Sequence, residues 1–568
     1  MAARVEAMVS VEKPGWVVRL LPSLTDVVIL MPAVLLFLRM EGAKRLLSDG
    51  DTGWHIRTGE WILANGQVPR VDIFSYTKAG EPWYAWEWLW DVGAAWLHQQ
   101  GGLAAVVFAS LLVLSLTFAV LFRQVIRECP NVVVAFAVTF AAMAGSTLHW
   151  LARPHLLTLL FVVIFAWILE EARAGRRRRL WLLPPLTALW TNLHGGFFVG
   201  ILLIVCYAAG EALAWLIDRD RRAAQAALLR SKPYLWTALG AIAATLVNPY
   251  GWRLHAHVWT FLSSSFHLRY ISEYQSTDFQ NNLAQWYEPL LLLGVAAVGW
   301  CLWRRRFAQA IILGGWLHLA LYSVRNLPIY LILAAPLAAA MLEDFLSFAE
   351  RAPLAAWIGN TVRSFRKVTG EFSSLDCQPR LNITGLAGLL AVGWLLFLPS
   401  APAKFRAEYD PEKYPEAAIQ WLRNANVIER IFTDDEWGDY LIYRLYPQVR
   451  VFVDGRFDLY GEKFTEKYVE LVNAHYAWEK TLADYAVTAV LLRVKSPLAT
   501  TLKESQRWRP VYDDGHAIIF QRRPQPARAE QDSAGPAGRE VRDRAITRVN
   551  PGGFVATSEF RETRSESL

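Results

Sequence analysis

Two aspartates, Asp49 and Asp51, lie two residues apart directly after the first hydrophobic run of the chain. Two carboxylates at a membrane surface can act as a general base or as hard oxygen ligands of a divalent ion. The structural alternative is a solvated turn in which one aspartate caps the amphipathic surface helix that follows. Taken alone, the pair favours this alternative, because acidic residues before helices are common.

A second group of polar residues lies at one end of several hydrophobic runs. Ionisable side chains at the boundary of a membrane are costly and usually face a cavity, so their shared position predicts a polar pocket. A planar guanidinium can clamp a phosphate through paired hydrogen bonds, as a lipid-phosphate headgroup would require. Each residue alone could instead belong to an ordinary loop or extend to the interface. The candidates are Arg153, His155, Asn192, His194 and Arg325.

The loop after the first run also carries a cluster of tryptophans around Glu87. Aromatic faces can stack on sugars, but interfacial belts use the same residues and are more common. A later loop adds Glu273 and Asp278 as further carboxylates for an acceptor or a metal. The two aspartates of the first loop and Glu273 could together hold a divalent ion such as Mg or Mn, although no His-rich ligand spacing supports one.

The composition is that of a membrane protein. The chain has 568 residues, of which 54% are hydrophobic and 19% charged, against roughly 45–50% and about 25% in soluble domains. Collagen-like, disordered and small disulfide-rich classes are therefore excluded. The 4 cysteines include no CxxC pair, so the sequence predicts neither a disulfide framework nor a zinc site.

Hydrophobic runs bounded by charge predict about eleven transmembrane helices, several of them shorter than the ~20 residues of a perpendicular crossing. The first run has no small-x-small cleavage site, so we expect a retained span. The run 180–193 contains Pro184-Pro185 and could be a broken or re-entrant helix. The runs are 24–38, 103–122, 132–148, 156–169, 180–193, 197–217, 234–247, 290–303, 307–324, 327–342 and 383–398.

The basic residues set the predicted orientation. With the N-terminus in the cytoplasm, about 20 Lys and Arg after residue 100 face inward and about 4 face outward, as the positive-inside rule requires. The net charge of +7 is spread over several inner loops, so we expect no nucleic-acid partner. The chain is predicted to be a multi-pass protein of the cell (inner) membrane, in contact with its lipids.

This orientation places loops 41–102 and 249–286, and the chain after residue 400, outside the cell. Residues 1–400 are then a multi-span membrane domain, and 401–522 an extracytoplasmic α/β domain with short strands and a closing hairpin at Asp513-Asp514-Gly515. The polar segment 523–568 is predicted to be a disordered tail. The chain has no clear internal repeat, which weakens a transporter interpretation.

The order of these motifs resembles the GT-C superfamily of integral-membrane glycosyltransferases, in a bacterial branch. The first outer loop carries the most specific part of the resemblance, and the whole pattern covers roughly residues 20–522. The matching segments are Asp49 to His55, Thr58 to Leu63, Pro69 to Thr77, Arg153 to His155, Asn192 to Gly195, Asn248 to Gly251, Glu273 to Phe279 and Val453 to Arg456.

The resemblance implies an enzyme that transfers a sugar from a polyprenyl-phosphate donor to an acceptor hydroxyl on the outer face. Asp51 matches the expected base and Asp49 is the next candidate, with His55 close by in the same motif. The acceptor could be a glycan, a lipid or a protein. In the protein-mannosylating and aminoarabinose branches the acidic pair is adjacent, so their substrates do not carry over.

Two other classes of function stay open at this stage. A transporter or flippase for a lipid-linked glycan could use the same pocket without making a bond. A non-catalytic membrane scaffold could bind a partner through the C-terminal domain. The outward-facing set of polar residues favours the transferase.

Overall fold

The computed structural model describes residues 16–217, 220–280, 282–353, 355–425 and 430–523. Within these ranges the protein is mainly helical, with a small sheet near the C-terminus, as the sequence predicts. The predicted tail, 523–568, lies outside the described residues except for Arg523.

Seven helical segments in the described residues are long and apolar enough to cross a membrane. Within the first of them, the helix Leu24–Val34 begins with a capping box, in which Ser23 and Asp26 each bond the backbone of the other. The seven segments are Trp16–Arg39, Trp88–Glu128, Val132–His149, His155–Arg173, Gly195–Ile217, Ala284–Trp303 and Val324–Arg351.

The other four predicted runs also fold as helices, but these are shorter or more polar. The run at 180–193 splits into a 3₁₀ turn and an α-helix of 11 residues, because Pro184 and Pro185 fit only a first helical turn. The four helices are Leu183–Leu193, Arg221–Ala244, Phe307–Tyr322 and Ile383–Leu396.

The helix Trp88–Glu128 is longer than its hydrophobic run because it is two helices joined at a kink. Gly101 and Gly102 have non-helical backbone angles, and the φ of Gly102 is +62°, which glycine adopts without steric cost. The part before the kink starts 15 residues ahead of the predicted run and belongs to the first loop. It carries the site residues of that loop towards the other helices.

The loops between the spans are themselves largely helical. Outside the membrane-spanning segments, the described residues of the first 400 form further helices at Ala43–Leu46, Asp51–Asn65, Trp252–Leu262, Ser265–Tyr270 and Ala356–Asp376.

The C-terminal part contains a four-stranded sheet of order β1-β2-β4-β3. Strand β1 pairs in parallel with β2, whereas β2 with β4 and β3 with β4 are antiparallel. The predicted hairpin joins β3 to β4, and Gly515 supplies the positive φ of its turn. The strands are Ile431–Phe432 (β1), Ala489–Arg493 (β2), Trp508–Asp513 (β3) and Ala517–Arg522 (β4).

The apolar pattern of the sequence also predicts a strand at 450–453 and a helix at 463–484, and the structure differs at both places. The predicted strand at 450–453 forms only single bridges, in which Val451 meets Ile431 on one side and Ser75 of the first loop on the other. The predicted helix at 463–484 is broken, because Ala474 and Ala477 adopt positive φ. The helices around the sheet are Glu416–Asn424, Asp435–Leu445, Phe457–Tyr460, Glu462–Val472, Trp478–Asp484 and Pro497–Glu504.

A buried ion pair joins the C-terminal part to the first loop. The Nη2 atom of Arg456 donates to Asp72 Oδ1 at 2.8 Å and to Asp454 Oδ2 at 2.7 Å. The guanidinium lies 4.4 Å from the ring of Trp83, and all three charged side chains are at most 3% exposed. The segments 69–77 and 453–456, which are far apart in sequence, are therefore in direct contact.

This contact predicts a large loss of stability on removal of its cation. Arg456→Ala would leave two buried carboxylates without a counter-charge, which costs about 3–5 kcal/mol. Arg509→Ala, at an exposed position bonded to Gln521, is the control, since surface changes usually stay within about 0.5 kcal/mol. Thermal unfolding of the detergent-solubilised variants, followed by tryptophan fluorescence, measures both; equal shifts in Tm would contradict the prediction.

Candidate active site

The helix Asp51–Asn65 places the paired aspartates against the C-terminal part. Asp49 accepts a hydrogen bond from the backbone N–H of Asp51 at 2.9 Å, whereas Gly50, the N-cap residue of the helix, offers no side chain to cap it. A side chain at Gly50 or Gly53 would clash with Asp439 or Tyr443 of the helix Asp435–Leu445. Glycine at both positions allows the two helices to approach closely.

Arg153 binds acidic residues of both loops, 41–102 and 249–286. Its guanidinium lies 2.8 Å from Asp49, 2.5 Å from Asp51 and 3.2 Å from Glu273. The preceding residue, Ala152, donates its backbone N–H to Leu46 at 2.7 Å, which fixes the segment against the first loop. The sequence places these acids and Arg153 at one end of the bundle, and the structure brings them into contact.

Glu273 connects this cluster to a second arginine. Its other carboxylate oxygen lies 3.6 Å from Arg325, and that guanidinium also donates to Tyr274 Oη at 2.9 Å. The two arginines lower the pKa of Glu273 below its usual range, although burial acts in the opposite direction. Arg325 is the more exposed of the two, at 38% of its side chain against 20% for Arg153.

The C-terminal part contributes a carboxylate that faces Asp51. Asp439 accepts a hydrogen bond from the backbone N–H of Gly455 at 2.9 Å. A Cβ at Gly455 would overlap Asp51 Oδ1 and lie 3.0 Å from Asp439 Oδ2, so both carboxylates lie against this glycine. Burial, together with Asp51 and Asp454, raises the pKa of Asp439 well above its usual value.

Glu87 lies between two histidines on the other side of the cluster. Its carboxylate oxygens are 3.6 Å from His55 Nε2 and 3.5 Å from His194 Nε2. The other ring nitrogen of His55 is 2.6 Å from Asp91, and that of His194 is 2.7 Å from the Thr158 hydroxyl. Each histidine therefore contacts one oxygen of the Glu87 carboxylate, and together they fix its orientation.

Burial sets the titration of the central acids. It raises the pKa of Asp51 to about 7, against the attraction of Arg153 and with a further contribution from Asp49. It raises the pKa of Glu87 to about 8, against the attraction of Arg153 and Arg325. Burial also lowers the pKa of His55 well below 6.5, and Arg153 adds to that shift, so this histidine is neutral.

These residues surround a cavity of about 690 Å³ between the helical bundle and the C-terminal part. Phe261, Phe266, Tyr270 and Tyr274 of the second loop supply an aromatic wall. The charged residues that line the cavity are Asp49, Asp51, Glu87, Asp91, Arg153, Glu273, Arg325, Asp434, Asp435, Glu436, Asp439, Arg456, Asp458 and Arg493.

Five predicted site residues do not line the cavity. Asn192 accepts a hydrogen bond from Trp88 Nε1 and donates to the backbone of Val247, so it ties helices together. His155 is bonded through Nε2 to the backbone oxygen of His149. Asp278 is exposed and caps the turn at Gln280. His55 and His194 reach the cavity only through Glu87, whose carboxylate both of them contact.

Asp439 lines the cavity but is not among the predicted site residues, and Gly455 is included only within the matching segment Val453 to Arg456. Asp439 lies one helical turn after Asp435, which places both acids on one face of their helix. That spacing is the only signal in the sequence, and it points to this cavity only once the docking of the C-terminal part is known.

The carboxylates at the cavity are also of the type that binds divalent metal ions. Within the described residues, no three His, Cys, Asp or Glu side chains are grouped so that they could hold a metal ion. Asp49, Asp51 and Glu273, the predicted ligands, are spread around the planar guanidinium of Arg153 instead. In the structure these three carboxylates contact the two terminal nitrogen atoms of that guanidinium.

The comparisons with known proteins find similarity in structure alone. No family model and no curated protein matches the sequence. The structure is similar to the archaeal oligosaccharyltransferase AglB from Archaeoglobus fulgidus, solved with an inhibitory peptide and a dolichol-phosphate, at 12% identity and a TM-score of 0.50 over 83% of this chain and 69% of that one.

A second structure of that enzyme is tethered to an acceptor peptide containing the NVT sequon. It matches at 11% identity over 88% of this chain and 73% of its own, with a TM-score of 0.48. The first of these two similarities shows a fold shared with a solved membrane oligosaccharyltransferase, in agreement with the fold that the resemblance implies.

The raised pKa of Asp51 predicts a pH-dependent contribution to stability. A carboxyl group with a pKa of about 7 in the folded protein and 3.8 in the unfolded chain holds its proton more tightly when folded. Ionisation therefore destabilises the fold as the pH rises from about 4 to about 7, by at most about 4 kcal/mol. Asp51→Asn cannot ionise, so it should gain stability relative to wild type over this interval.

The measurement is the Tm of both proteins in detergent at about pH 5 and about pH 8. We expect the Tm of Asp51→Asn minus that of wild type to be larger at the higher pH. Glu81→Gln, which removes an exposed carboxylate 2.9 Å from Lys78, controls for the loss of a charge. A difference that does not change with pH would show that Asp51 is already ionised when folded at the lower pH.

Proposed function

We propose that the chain is a membrane glycosyltransferase that moves a sugar from a polyprenyl-phosphate donor to the hydroxyl of an acceptor. The observation that carries the proposal is the cluster of Asp51, Arg153 and Glu273 at a cavity in a chain with the fold of a solved oligosaccharyltransferase. That enzyme was solved with a dolichol-phosphate, which supports a lipid-phosphate donor here.

Asp51 is the proposed general base. Its raised pKa of about 7 places it near the pH at which a base is both ionised and able to accept a proton. It takes the proton of the acceptor hydroxyl while the hydroxyl oxygen attacks the anomeric carbon. The bond from that carbon to the phosphate oxygen breaks, and the configuration of the sugar is inverted in a single displacement.

Arg325 is the proposed partner of the departing phosphate. The phosphate leaves with the bonding electron pair, so a fixed cation nearby stabilises the transition state. Arg325 is more exposed than Arg153 and keeps a longer contact to Glu273, at 3.6 Å. The aromatic wall beside it, which includes Phe261 and Phe266, offers an apolar surface to the first units of a polyprenyl chain.

The proposal includes the orientation and the division of the chain. The N-terminus is cytoplasmic, about eleven helices cross the membrane, and the cavity opens on the extracytoplasmic face. Residues 401–522 form the extracytoplasmic α/β domain that covers the site. Two observations support this: the short apolar helices at Phe307–Tyr322 and Ile383–Leu396, and the location at one cavity of residues from both predicted outer loops and from the C-terminal part.

The first test compares the lipid-linked and surface glycans of a deletion strain with those of restored strains by mass spectrometry. Wild type should restore one missing sugar mass and Asp51→Asn should not, because an amide cannot accept the proton. Asp278→Asn is a matched change of acid to amide outside the cavity and should restore the glycan. An unchanged profile on deletion would favour the carrier or scaffold functions.

The second test uses the glycine against which the two aspartates lie. Gly455→Ala would push Asp51 and Asp439 apart, and misplacement of reacting groups by about 1 Å can cost about a hundredfold in rate. Gly93→Ala adds the same methyl group where no atom lies within 4 Å. Restored glycan measured against membrane protein level should fall for the first variant alone; equal restoration would remove Gly455 from the site.

A further inference from the structure

Three carboxylates from two loops converge on one arginine in the cavity. Arg153 Nη1 lies 2.8 Å from Asp49 and 3.2 Å from Glu273, and Nη2 lies 2.5 Å from Asp51. All four side chains are largely shielded from solvent, with side-chain exposures between 12% and 26%. Acids held this closely away from water need a counter-cation, and a divalent ion with oxygen ligands is a common one.

The arginine is held in position by contacts of its own segment. The Thr52 hydroxyl donates to the backbone oxygen of Ala152 at 3.2 Å, and the Ala152 N–H bonds Leu46 at 2.7 Å. A divalent ion among the same carboxylates would lie within a few ångströms of the Arg153 charge, which would repel it. The planar fork of an arginine also spreads its acids over two nitrogen atoms, whereas a metal gathers its ligands around one point.

We propose that Arg153 is the built-in cation of this site and takes the place of a divalent metal ion. The carboxylates of Asp49, Asp51 and Glu273 then keep their arrangement without any added ion. The inference rests on the proposed function in that it concerns the same site, but the ion pairs that carry it can be tested without a transfer assay. Arg153 acts here as a positioning residue for Asp51.

A specific gain of function follows from this assignment. Arg153→Ala removes the cation around which the three carboxylates are spread. In the variant these side chains are free to turn towards one point in the cavity, and their oxygen atoms are ligands that Mn²⁺ accepts. The variant should therefore acquire a Mn²⁺ site that wild type lacks. The loss of one positive charge a few ångströms away should tighten Mn²⁺ binding by about a hundredfold or more.

The experiment measures Mn²⁺ binding to the purified full chain in detergent, by the electron paramagnetic resonance signal of free Mn²⁺ and by the shift of Tm with added Mn²⁺. We expect no saturable site in wild type, and one site with a raised Tm in Arg153→Ala. Arg325→Ala is the matched control, because it removes a second cavity arginine that does not contact Asp49 or Asp51, and it should not gain the site. Arg153→Ala combined with Asp49→Asn should lose it.

Two results would overturn the inference. One is a stoichiometric Mn²⁺ site in wild type that includes these carboxylates, shown by its loss in Asp49→Asn; the other is a folded Arg153→Ala protein that binds no Mn²⁺. If Arg153→Ala does not accumulate, Arg153→Lys keeps the charge and should also bind no Mn²⁺, and binding there would contradict the role of the charge. Failure of the glycan test alone would reject the transferase and leave these binding results unaffected.

Discussion

Buried negative charge is the constraint on which the region around the cavity depends. Asp51, Asp439 and Glu87 lie together away from water, and each isolated carboxylate would cost several kcal/mol to bury as an ion. Two arginines offset this cost, Arg153 with its side chain 20% exposed and Arg456 fully buried. Arg153 neutralises acids of the two outer loops, and Arg456 neutralises Asp72 and Asp454 where the C-terminal part docks.

The two arginines have different roles. Arg153 holds the acids of the proposed site, and Arg456 holds the C-terminal part against the first loop. The Arg456 pair brings the C-terminal part onto the first loop, and the residue before it, Gly455, then lies against Asp51 and Asp439. The docking contact and the site are therefore adjacent in sequence, so a shift in the first moves the second. This coupling explains why the cavity needs segments that are about 400 residues apart in the chain.

The sequence predicts the membrane character, the order of the spans and six of the charged residues at the cavity, because charge at the ends of apolar runs leaves few alternatives. It includes Asp278, Asn192 and His155 as well, since a polar residue near a span end looks the same whether it faces a cavity or caps a turn. Asp439 could not be predicted, because its place depends on the close approach of two helices at Gly50 and Gly53. Helix ends also depend on packing, as the kink at Gly101-Gly102 illustrates.

The shape of the polar region favours chemistry at one membrane face over passage across the membrane. Below Glu87, the polar contacts run from His194 to the Thr158 hydroxyl, which accepts a hydrogen bond from Trp190 Nε1 at 3.0 Å. Trp190 is fully buried and stacks on Phe161 at 5.0 Å, so this line of polar groups ends in close-packed aromatic rings. A carrier would need polar groups to continue through that layer, whereas a transferase needs only a closed floor beneath its base and its leaving group.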